Sequence, residues 1–158
     1  MGSLKNLKSR ILELGDEFSY VDAAENAADL MSVNDFEQHC GFRLCDDLVE
    51  FVCALGMIAI KISPEILSNL KENDSQINEI YVYGISKGKT PEWMKLKDFN
   101  AESVCFFEQG ESKAYVDIDG VVFTDEGKFD GDMYDFIISK IDELEEKYSR
   151  LIPQNTQI

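Results

Sequence analysis

The chain has 158 residues, 44% of them hydrophobic and 11% aromatic, enough to fold around one core and too apolar to remain disordered. Its net charge of −16 excludes a nucleic-acid-binding surface of the usual basic kind and disfavours anionic membranes. No apolar run approaches the roughly 20 residues of a membrane span, and the N-terminus lacks the apolar stretch of a signal peptide, so the expected location is cytoplasmic. Met1-Gly2-Ser3 is given no role.

The charge is segregated. Residues 16–50 carry ten acids and one base, Arg43. Residues 51–101 are balanced at six of each. Residues 102–135 carry ten acids against Lys113 and Lys128. Two acidic blocks bracket a neutral middle, a pattern that suits a basic partner or serves solubility alone.

In chain order, Leu4, Leu7, Ile11 and Leu14 predict a helix over 3–14, closed by Gly15. Residues 17–20 read as a connector and 22–31 as an alanine-rich short helix or helical turn. Ser32 is the expected cap of the next helix, with Val33, Phe36 and Cys40 on its buried face and Gly41 at its left-handed end. Asp46 or Asp47 caps a further helix carrying Leu48, Phe51, Val52 and Leu55, stopped by Gly56. Residues 57–62 and 80–85 read as strands, with a helix from Ser63-Pro64 to Leu70 and a polar loop over 71–76 between them. Residues 86–90 read as a flexible loop, and Pro91 to Met94 as the start of a turn or short helix.

Strands follow at 103–108, 113–118 and 121–124. Ala114, Val116 and Ile118 share one face of the second, and Asp119-Gly120 predicts a two-residue type I′ turn. Residues 125–129 are a loop. A last helix starts at Asp130 or Asp132, with Met133, Phe136, Ile137, Ile141, Leu144, Tyr148 and Leu151 as its core stripe. Pro153 ends it before a frayed tail, 153–158. The expected fold is a single α+β domain: N-terminal helices, a mostly antiparallel sheet and a closing C-terminal helix.

Catalytic motifs fail on context. Val116 to Asp125 resembles the Asp-x-Asp-Gly signature of haloacid-dehalogenase-type phosphatases, with Asp117 as nucleophile and Asp119 as acid/base. That fold needs a parallel sheet and a long chain after the motif, and 38 residues follow Gly120. Read as a calcium loop, the same segment starts on Tyr115, which offers no carboxylate. His39 has no nucleophile placed beside it, and Cys40-x4-Cys45 with His39 is a poor zinc pattern. Cys53 and Cys105 sit among core residues, so free thiols are expected. No enzyme activity, metal or cofactor is expected.

Phe36-Glu37, Cys40-Gly41, Leu44-Cys45, Asp46-Asp47, Phe51-Val52 and Gly56, then Asp117-Ile118-Asp119-Gly120 and the helix from Phe136 to Ile141, together resemble the SUKH superfamily. The likeness spans residues 22–147. Cys45 stands where the family has proline, and Leu55-Gly56-Met57 replaces its Asn-Gly-Gly. The resemblance implies an immunity protein that binds and neutralises a cognate, basic toxin, often a nuclease, delivered between competing bacteria. Charge segregation then nominates Glu102, Glu108, Glu111, Asp117, Asp125 and Glu126 as contacts, with Trp93 as an aromatic anchor. The alternative is a SUKH-like adaptor without a toxin partner. A monomer or weak dimer is expected.

Overall fold

A computed structural model of the chain describes residues 2–15, 17–63, 79–85, 96–99 and 103–151, with backbone alone for 97–99 and 148–151. Helix α1 (Leu4–Leu12) begins at Ser3, whose Oγ accepts from the Asn6 amide at 3.1 Å. It buries Leu7 and lies along the C-terminal helix α4 (Met133–Leu151). Arg10 fastens the two, reaching Asp142 at 2.8 Å and Glu145 at 2.5 Å.

The segment expected as connector and helical turn is different. Phe18–Asp22 is an edge strand, β1, followed by a single 3-10 turn, Ala24–Asn26. Five residues of moderate β-propensity carry little local signal. Antiparallel pairing with β2 (Ile58–Ile62), Phe18 opposite Ile62 and Asp22 opposite Ile58, makes them a strand.

Helix α2 runs Leu30–Cys40 and is capped by Asp29, correcting the expected Ser32 cap. The Asp29 Oδ1 accepts from both the amide and the hydroxyl of Ser32, each at 2.8 Å. An ionised carboxylate outcompetes a hydroxyl for the orphan amides of a helix start, so the helix begins one turn early. Gly41, at φ 87°, ends it as expected. Helix α3 spans Asp46–Ala54 and places Asp46 and Asp47 inside its first turn, after Cys45, rather than at the cap.

The remaining strands are β3 (Ile80–Val82), β4 (Lys97–Phe99), β5 (Ser103–Gln109), β6 (Ser112–Asp117), β7 (Val122–Thr124) and β8 (Gly127–Lys128). All described pairings are antiparallel. Seven strands run in the path β1-β2-β3-β5-β6-β7-β8, and β4 pairs with the first half of β5. β4 and β8 were not anticipated. The expected helix and loop at 64–76, and the loop and turn at 86–94, lie outside the described residues.

The sheet buries Ile58, Ile60, Ile80, Val82, Ala114 and Val116 in one cluster with the helices. In β5 the register slips between Cys105 and Phe107. This bulge lets consecutive aromatics, Phe106 and Phe107, both reach Phe136 of α4, at centroid distances of 5.8 and 5.0 Å. The α4 stripe is buried at Met133, Phe136, Ile137, Ile141 and Leu144, and Tyr134 is buried with it. Tyr148 and Leu151 lie outside the described side chains.

The β6–β7 connection also differs in detail. Gly120 donates to the Asp117 carbonyl at 3.0 Å, and Asp117 to the Val121 carbonyl at 3.1 Å. The loop therefore holds three residues, 118–120, with Gly120 left-handed at φ 84°. This is a turn followed by a glycine bulge instead of a two-residue type I′ turn. One consequence is that Ile118 leaves the strand and stands 48% exposed, off the core face expected for it.

Candidate functional site

Two groups of acids are assembled by this topology. Antiparallel registers place the β5–β6 turn and the β7–β8 turn at the same end of the sheet. Glu111, Asp125 and Glu126 are exposed there, with Glu108 one step back along β5. Glu108 is already engaged: it accepts the Tyr83 hydroxyl at 2.6 Å. Burial first, and then this carboxylate, pushes the Tyr83 phenol above its usual range. Tyr83 stacks on Tyr81 at 6.5 Å, and the Lys61 ammonium lies 5.7 Å above the Tyr81 ring.

Asp117 lies at the opposite end of β6, so the nominated acids do not form one patch. Its Oδ1 accepts from the amides of Asp119 at 3.0 Å and Val121 at 2.9 Å. That is the work of a turn-holding side chain. β6 runs antiparallel to both its neighbours, unlike the parallel strand on which the phosphatase signature sits. Glu102 and Trp93 lie outside the described residues.

The second group was not read from the sequence. The N-termini of α3 and α4 meet, and the link is Tyr134. Its Oη lies 2.8 Å from Glu50 Oε1 and 3.1 Å from the Asp47 carbonyl. Burial, and then Glu50, holds this phenol far above its ordinary range. α4 is closed by a reciprocal acid pair: Asp132 Oδ1 accepts from the Asp135 amide at 2.8 Å, and Asp135 Oδ2 from the Asp132 amide at 3.2 Å. Asp46, Asp47, Glu50, Asp132 and Asp135 thus share one region, and none forms an ion pair among the described residues.

The cost of this grouping falls on Asp47. Its carboxyl is raised above the ordinary value, by burial first and then by the charges of Asp132, Glu50, Asp46 and Asp135. A raised acid favours the folded state when protonated. The stability it adds is present below its unfolded pKa and is lost as pH rises through its folded pKa. Asp47→Asn is therefore expected to narrow the drop in melting temperature between about pH 4 and pH 7 relative to the parent chain. Parallel melting curves for the two proteins across that window would contradict the like-charge account.

Other inventories offer little chemistry. All four cysteines are free, and burial pushes the Cys45 thiol up to about 11, far from a nucleophilic thiolate. Among the described residues no group of three or more His, Cys, Asp or Glu is placed to hold a metal. No helix among them is long and apolar enough to cross a membrane. A pocket of about 200 Å³ lies between β8 and α4. On its α4 side, Lys140 pairs with Glu143 at 3.4 Å and Ser139 donates to the Phe136 carbonyl at 2.7 Å. A scan of protein-family models and searches of curated proteins and of solved structures found no match to the chain.

Proposed function

We propose that this chain is an immunity-type inhibitor, of the kind its resemblance to the SUKH superfamily implies. It binds a basic protein toxin, a nuclease being the class that best suits the charge, and neutralises it in the cytoplasm by covering its active site. The observation that carries this reading is the acid group at the α3 and α4 N-termini. Five carboxylates are held together against their own repulsion with no ion pair among the described residues, and Asp47 bears the electrostatic cost. Helix N-termini compensate part of that cost, because their partial positive charge favours acids. A basic groove on a partner supplies the rest. Nucleic-acid-cleaving sites are basic because they bind phosphate, so an acidic cover competes directly with substrate.

An electrostatically driven complex has a kinetic signature. Between roughly 0.01 M and 1 M salt the screening length shrinks from about 30 Å to about 3 Å. The association rate with the polypeptide encoded beside this chain is expected to fall by about tenfold or more over that range. Asp46→Asn/Asp47→Asn should flatten the dependence. A rate indifferent to salt in the parent chain would sink the electrostatic part of the reading.

A further inference from the structure

We propose that the first turn of α2 is the apolar anchor of the partner interface, with Leu30 and Met31 seated in an apolar pocket rimmed by basic side chains on the partner. This inference rests on the reading above, in which the partner is a basic protein. The two side chains are 74% and 73% exposed, adjacent in sequence and carried on a helix. The buried stripe of α2 is Val33, flanked by the partly buried Phe36 and Cys40. At about 100° per residue, Met31 lies nearly opposite that stripe and Leu30 to its side. The rest of the outward face is polar, with Asn34, Asp35, Gln38 and His39 exposed. Neither of these two large apolar groups on an otherwise polar face is buried against the described residues.

The shifted cap makes the anchor rigid. With the helix starting after Asp29, Leu30 and Met31 belong to its first turn and not to a connector. Side chains held on a helix lose less freedom on binding than side chains on a loop. A buried apolar centre ringed by polar contacts is the arrangement in which a few residues dominate affinity.

Charge selects the occupant. Glu25 and Asp29 precede the pair and Asp35 follows it, all exposed. No Lys or Arg occurs between Arg10 and Arg43. Helix α3 carries Asp46, Asp47 and Glu50 and no Lys or Arg. A second copy of this chain would bring acids against acids, at −16 per chain. A basic partner brings complementarity at the rim and desolvation at the centre.

The test uses the full chain and the polypeptide encoded beside it. Leu30→Ser/Met31→Ser is expected to keep the parent's circular dichroism and melting temperature, because both side chains are exposed. It is expected to weaken the complex about 100-fold, chiefly through faster dissociation. Leu30→Met/Met31→Leu should restore affinity to within a few-fold. A complex whose affinity survives the serine pair but falls with Asp46→Asn/Asp47→Asn keeps the immunity reading and rejects this anchor. A concentration-dependent dimer of the parent chain that the serine pair abolishes, with partner affinity intact, assigns the patch to self-association and also rejects it. No complex with the parent chain overturns the functional reading, and the anchor with it.

Discussion

Gly84→Ala is expected to destabilise the fold by about 3 kcal/mol or more, lowering the melting temperature by roughly 6–12 °C. The reason is a backbone-to-backbone approach. A Cβ on Gly84 would lie 1.6 Å from the Gly56 carbonyl oxygen, with Val52 Cγ1 at 3.1 Å. No side-chain rotation relieves a clash with main chain. Either the end of β3 or the end of α3 has to move, and both are tied. The Gly56 amide donates to the Val52 carbonyl at 3.1 Å, and the Gly84 carbonyl accepts from Leu96 at 2.9 Å. Gly41→Ala is the control. Gly41 is left-handed at φ 87° but has nothing within 4 Å of an added Cβ, so only local strain of about 1–2 kcal/mol is incurred. A Gly84→Ala protein that melts within about 2 °C of the parent, or above Gly41→Ala, would show that the two glycines do not lock α3 to the sheet.

The parts of the fold legible in the sequence are those set by local periodicity. The Val33–Phe36–Cys40 stripe, the Gly41 stop and the α4 stripe are all read from spacing within one element. β1 was not legible, because Phe18–Asp22 becomes a strand only through its partner β2. The α2 start shows a competition between two good caps three residues apart. Asp29 and Ser32 both fit the rule, and the carboxylate takes both the Ser32 amide and its hydroxyl. Ile118 was misplaced because alternation along β6 was carried one residue into a turn.

Of the candidate contacts, charge segregation found acids but not their grouping. Glu111, Asp125 and Glu126 come together through strand register, while Asp117 is spent on the turn between β6 and β7. The stronger grouping joins the end of the first acidic block to the end of the second, about 85 residues apart. Its clue was visible: two helices each open with a pair of acids, at 46–47 and 132–135. Nothing local says that those two N-termini meet, since that depends on Tyr134 reaching across from α4 to α3.

The largest functional effect belongs to survival. A cytoplasmic toxin kills at low copy number, so its inhibitor has to bind fast and release slowly. In the proposed complex an acidic surface would supply the first property, and an apolar centre the second. The direct measurement is co-expression of this chain with the polypeptide encoded beside it, scoring viability and co-purification from the same cells. The adjacent polypeptide alone is expected to cut colony counts by orders of magnitude. The parent chain should restore them and co-purify with it, and Asp117→Asn should protect as well, because that carboxylate holds a turn. Persistent killing, with no complex recovered, would contradict the proposal that this protein is an immunity-type inhibitor.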